Sequence, residues 1–161
     1  MTRAIIVVDA ATVRPGRAGP ATGSIWVSLG ELSFPMEGWN DFVVVILAAW
    51  VGAMVRLLRG STTRERVHFM EGPYFVDVLH PAEGPLRLRA TGPPMRAERA
   101  CVDVEASPLV ESLLSGSDAV LGACRAAACW TSDAEELESL LPALRRLATQ
   151  LTEQLPPQDE G

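Results

Sequence analysis

The hydropathy pattern is dominated by one run. From Phe42 to Val55 fourteen residues carry no charge, and Arg56 and Arg59 follow. A membrane span needs about 20 apolar residues, and Asp41 and Arg56 bound this run too closely. The ends instead read as helix ends. Asn40 is placed to cap, Asp41 suits the positive end of the helix dipole, Arg56 and Arg59 suit the negative end, and Gly60 can terminate. A helix from Asp41 to Arg59 would be roughly 28 Å long at about 1.5 Å per residue. The β-branched "VVVI" within it favours strand, but run length and caps outweigh that. One side gathers Ala48, Ala49, Gly52 and Ala53, where another backbone can approach. The other carries Val43, Leu47, Trp50, Met54 and Leu57. A helix apolar all round is a buried one, so packing is expected on both sides, sheet on one and helices on the other.

Period-two alternation marks the strands. Ala4 to Val8 reads as a strand buried on both faces. "DAATVRPGRAGPATG", Asp9 to Gly23, reads as a loop from its prolines and glycines. Its glycines do not follow the G-x-G-x-x-G spacing of a dinucleotide site. Ser24 to Phe34 is expected as one strand, with Gly30 as a bulge. Arg64 to Met70 and Tyr74 to His80 form a hairpin turning at Glu71-Gly72-Pro73. That register sets Arg66 near Asp77 and His68 opposite Phe75. Pro85 to Thr91 turns Leu86, Leu88 and Ala90 inward and Arg87 and Arg89 outward. Arg99 to Val104 continues the meander, with Ala100, Val102 and Val104 on one face.

The C-terminal part is helical. Ser107-Pro108 is a cap with proline in the first turn. A break is expected at "SGSD", Ser115 to Asp118, with helix resuming from Ala119 to Trp130. Ser132-x-x-Glu135 has the form of a capping box. Leu137, Leu141, Leu144, Leu147 or Ala148, and Leu151 make the apolar stripe of a last helix that Pro142 should kink. The expected fold is a single α+β domain over residues 1–155. An antiparallel sheet of about six strands packs on a central buried helix, with two C-terminal helices. Residues 156–161 form a disordered tail.

Charge changes the picture. Met1 to Val102 holds 11 Arg and 9 acids, a balance of +2, whereas Asp103 to Gly161 holds 3 Arg and 11 acids, a balance of −8; together they give the net −6. The acidic third argues against nucleic-acid binding, which needs a basic footprint, and suits a basic protein partner. All 14 basic residues are Arg. The missing lysine excludes a P-loop, a Schiff-base or pyridoxal site and a protein-kinase site. With abundant Ala, Arg, Gly and Pro it also fits a GC-rich bacterial coding bias. The three cysteines, Cys101, Cys124 and Cys129, give no disulfide framework. On one helix Cys124 and Cys129 would lie about 140° apart, so they read as buried thiols of a reducing cytoplasm. The N-terminus lacks a signal-peptide pattern, so a cytoplasmic location without membrane attachment is expected.

Candidate chemistry is sparse. His68 and His80 fall at non-opposed positions with no third ligand for zinc, so no metal and no cofactor is expected. Tyr74, Asp77 and His80 could be imagined as an acid/base cluster, but Asp77 and His80 project from opposite strand faces. No catalytic residue is assigned, and the chain is expected not to be an enzyme. Arg66, Arg87 and Arg89, with Arg99, are candidates for an anion site on the outer sheet face; a solvated face with ion pairs is the plainer account. Asp133, Glu135, Glu136 and Glu138 crowd the start of the last helix. Dipole complementation explains the first turn, and an acidic docking patch for a basic partner would explain Glu138 as well.

"FPMEGWNDFVVVILAAW" (Phe34 to Trp50) followed by "VHFMEGPYFVDVL" (Val67 to Leu79) resembles small bacterial α+β proteins of strand–helix–strand type. Some of these look like cognate immunity proteins of polymorphic toxins. The resemblance covers about the middle third and implies a cytoplasmic, non-catalytic protein that binds and blocks a toxin domain. It carries over no site residues. The leading expectation is therefore an intracellular protein-binding module for a basic partner. An anion or small-ligand binder or enzyme using the Arg-rich face is the second, and a structural homo-oligomer, such as a homo-dimer, the third.

Overall fold

The computed structural model describes residues 1–17 and 19–154. The tail expected at 156–161 lies outside them. The elements are β1 (Ala4–Arg14), β2 (Thr22–Leu29), β3 (Leu32–Phe34), β4 (Asn40–Asp41), α1 (Val43–Leu58), β5 (Arg64–His68), β6 (Phe75–Leu79), β7 (Leu86–Gly92), β8 (Ala97–Val104), α2 (Ala106–Ala126) and α3 (Ser132–Glu153). The α+β class is as expected. The sheet is not: among the described residues there are two antiparallel sheets of four strands each, not one of about six.

In the first sheet β1 pairs with β2, and β2 pairs with both β3 and β4. The second is the meander β5-β6-β7-β8. The two meet at one parallel bridge, Thr2 with Val104, where the Thr2 amide donates to the Asp103 carbonyl at 2.9 Å. Beyond that rung α2 replaces a strand neighbour. The Ile6 amide donates to Ser112 Oγ at 2.9 Å, and a Cβ on Gly116 would lie 3.1 Å from Val8 Cγ2. The free edge of β1 is thus covered by a helix, which splits what would otherwise be a continuous sheet.

Several boundaries move for local reasons. β1 continues through the segment expected to be loop, because Thr12 Oγ1 accepts from the Ser24 amide at 2.8 Å and carries the ladder past an irregularity after Asp9. Along β1, Ala4 and Ile6 are buried but Ile5, Val7 and Val8 only half so, which corrects burial on both faces. Gly30, with φ of +62°, is a hairpin turn between β2 and β3 rather than a bulge. The hairpin β5–β6 has the expected register, with Arg66 opposite Asp77 and His68 opposite Phe75. Arg87 and Arg89 share its outer face, and Leu86, Leu88 and Ala90 are buried.

α1 starts at Val43, without a side-chain cap, because Asn40 and Asp41 are taken up in β4. It ends as expected. Gly60 has φ of +74°, its amide bonds to Leu57 O, and the Ser61 amide bonds to Arg56 O, which is a Schellman close. Twelve of its sixteen residues are buried. It packs against α2 and α3 and against β2 and β5, so sheet and helices do flank it. Trp50, Leu47, Met54 and Leu57 are fully buried, as are Leu137 and Leu144 of α3. No helix among the described residues is long and apolar enough to cross a membrane.

α2 is unbroken where an interruption at Ser115–Asp118 was expected, because Gly116 is the small residue that its close contact with Val8 of β1 requires rather than a breaker, and Ser117 is buried within the helix. It starts at Ala106 with Glu105 as N-cap, so Ser107 is not the cap. α3 likewise has Thr131 at the N-cap with no side-chain cap bond, so no capping box forms. It runs through Pro142 to Glu153.

Candidate functional site

The four candidate acids divide. Spacing of three places Asp133 and Glu136 on one side of α3 and Glu135 and Glu138 on another. Asp133 and Glu136 line a groove of about 380 Å³ between α3 and α1. Its apolar wall is Val45, Ala48, Ala49 and Leu140. Gly52 makes the groove: a Cβ there would stand 3.3 Å from Arg56 Nη1 and 3.9 Å from Leu140 Cδ1. The small-residue side of α1 thus lets α3 approach, and the two helices leave Ala49 exposed between them. Glu138 faces the other way, where it pairs with Arg125 of α2. Arg56, at the groove's end, is held by Glu65, and the guanidinium in turn holds the Glu65 carboxyl below its usual range.

The three candidate arginines also divide. Each has a carboxylate partner. Arg87 Nε lies 2.8 Å from Asp103 Oδ1 and Arg89 Nε 2.9 Å from Glu98 Oε1. The Arg89–Glu98 contact is close but poorly aligned, since that Nε has no hydrogen-bond partner among the described residues. Arg66 makes a fork with Asp77, Nε to Oδ1 at 2.8 Å and Nη2 to Oδ2 at 3.1 Å, and Arg64 Nη2 adds a third bond at 3.1 Å. Asp77 projects outward from β6 yet is only 2% exposed, because the two arginines lie over it. Burial raises its pKa, but the hydrogen bonds and charges of Arg66 and Arg64 more than offset this and hold it below the usual range. The outer face is mostly a set of paired charges. Arg66 also borders a hollow, and its guanidinium stacks 4.0 Å over the Phe75 ring; Arg87 borders another, together with Asp103 and Glu83.

His68 is exposed on that face, whereas His80 Nδ1 lies 3.0 Å from the Leu57 carbonyl, at the end of α1. Asp77 and His80 are therefore engaged with different partners. Among the described residues no group of three His, Cys, Asp or Glu side chains could hold a metal ion.

Asp41 is the residue the sequence pattern misplaced. It is 1% exposed and sits in β4, just before the N-cap of α1, rather than in the helix's first turn. Its carboxylate accepts from the Trp39 indole at 3.0 Å and from the amides of Phe42, Met70 and Glu71 at 2.7, 3.1 and 3.1 Å. It ties the β5–β6 hairpin tip to the entrance of α1. Tyr74 closes the same end, with its ring 5.7 Å from Phe34 and 5.1 Å from Trp39. The GWND stretch was the available signal, but nothing local points to residues 70 and 71.

A scan against protein-family models, a search of curated proteins and a search of solved structures each return no match.

Proposed function

We propose that the chain is a non-catalytic binding module that takes a basic protein segment in the groove between α1 and α3. Neutralisation of a basic bacterial toxin domain in the cytoplasm is the sharpest version. The observation that carries it is the groove itself. An apolar wall of Val45, Ala49 and Leu140 lies beside two carboxylates, Asp133 and Glu136, that have no ion-pair partner among the described residues. Arg56 at the groove's end is paired with Glu65, so the unpaired charge beside the apolar wall is negative and suits a basic partner, with charge setting approach and register and the apolar wall contributing affinity. The −8 balance of Asp103 to Gly161 adds long-range attraction. The sequence resemblance to immunity proteins points the same way.

The first test is the gene neighbourhood: a gene immediately upstream that encodes a large secreted protein with a basic C-terminal domain supplies the partner to titrate, and its absence counts against the toxin version. Calorimetry should give a one-to-one complex that weakens as salt rises from about 50 to 200 mM. Asp133→Lys with Glu136→Lys should weaken it about tenfold or more, mainly through slower association. Glu135→Lys should change it much less. Equal affinity for the double variant and the wild type would remove the groove from the interface.

A further inference from the structure

We propose that the hollow between the β5–β6 hairpin and the β7–β8 turn is a phosphate-binding site, separate from the α1–α3 groove. The hollow is about 290 Å³ and is lined by Arg66, His68, Pro73, Phe75 and Arg96. No carboxylate lines it among the described residues. Arg66 and His68 are two apart on β5 and share the outer face of the sheet. Phe75 forms a wall between them, 5.7 Å from the His68 ring and 4.0 Å below the Arg66 guanidinium.

Arg96 comes from another element, and the backbone works to put it there. Met95 and Arg96 both have positive φ, 60° and 53°, and the Ala97 amide bonds back to Pro94 O at 3.2 Å. This is the left-handed two-residue turn that Asn-Gly normally supplies. Two non-glycine residues in that conformation cost conformational energy. The turn nevertheless points an arginine into a hollow that already holds one.

Charge favours an anion there. Arg64 and Arg66 share a single carboxylate, Asp77. Arg89 is taken by Glu98, and Arg96 has no ion-pair partner among the described residues. The local excess is therefore two positive charges. The form of the donors favours phosphate over carboxylate. A carboxylate is satisfied by one guanidinium fork, which Arg96 could supply alone, the fork of Arg66 being spent on Asp77 through Nε and Nη2. With Arg66 Nη1 and the His68 ring also on the lining, three side chains offer more donors than a single carboxylate uses. A phosphate offers several strong acceptor oxygens and close to two charges. It could be a free phosphate or a phosphorylated side chain of a partner, and the chemistry is the same.

The test is a titration of the intact chain followed by NMR of arginine and histidine side chains. The probes are inorganic phosphate, phosphoserine amide with a blocked N-terminus, and acetate. Inorganic phosphate should give saturable shifts in the millimolar range, confined to Arg66, His68 and Arg96. Tighter binding of the phosphoserine probe would identify a modified partner side chain as the source, and equal or weaker binding a free phosphate. Arg96→Gln, a change on an exposed turn, should weaken binding about tenfold, the loss of one charged hydrogen bond. Arg87→Gln should leave it unchanged. Acetate binding as tightly as phosphate, shifts spread equally over Arg87 and Arg145, or wild-type affinity in Arg96→Gln would each overturn the proposal.

Discussion

Ser117 lies in the middle of α2, fully buried, and its hydroxyl has no hydrogen-bond partner among the described residues. A serine inside a helix commonly turns its hydroxyl to the carbonyl four residues back; this one does not. A buried hydroxyl without a partner carries a desolvation penalty and no compensation. Ser117→Ala should therefore stabilise the fold by about 1 kcal/mol, read as a higher urea midpoint at unchanged slope. Asp41 is the opposite case, a buried carboxylate with four donors. Its role was not legible in the sequence, because two of those donors lie 29 and 30 residues further along. The Arg66–Asp77 pair was legible, since a tight hairpin fixes its register from the turn alone.

The ends of α1 and α2 close in the same way with different residues. Both are Schellman closes. Gly60 supplies the left-handed position for α1, and Ala128, with φ of +52°, supplies it for α2, where the Cys129 amide bonds to Cys124 O at 2.9 Å. Ala128 is exposed, so nothing is lost from packing on its replacement. Ala128→Gly should stabilise by about 0.5–1 kcal/mol, a rise of about 1–4 °C in Tm in a chain of this size. The same turn explains the cysteines. A helical wheel sets Cys124 and Cys129 far apart, but the helix ends at Ala126 and the chain folds back. The two thiols meet in the core, where burial first, and then the Cys129 neighbour, push Cys124 up to about 11. Helix termini were the least legible elements, because caps are set by what the flanking residues pair with. Asn40 and Asp41 pair with β2 and were lost to α1.

Across the molecule, strand faces were legible and strand neighbours were not. Alternation correctly turned Leu86, Leu88 and Ala90 inward, yet it says nothing about which edges meet. The groove was half legible. The small residues of α1 and the acids of α3 are visible in sequence, but only tertiary packing selects Asp133 and Glu136 over Glu135 and Glu138. Ion pairs on the second sheet also contribute to the response of the fold to acid. Asp77 is depressed in the folded state. Its contribution is fully present above its unfolded pKa, near 4, and is lost as pH falls through the lower folded value. Stability measured by urea at fixed temperature should fall on this limb as the pH drops below about 4. Asp77→Asn should cost about 1–3 kcal/mol at neutral pH and flatten the limb. An unchanged acid limb in that variant would show that Asp77 does not govern it.

Ser112 meets β1 across 106 residues of chain. A ribosome finishes the first sheet long before it makes the helix that shields it. Through that interval β1 offers an uncovered row of amides and carbonyls to any neighbouring nascent chain. The order of synthesis therefore leaves the first sheet dependent on late-arriving protection, and misassembly during translation would begin at the β1 edge.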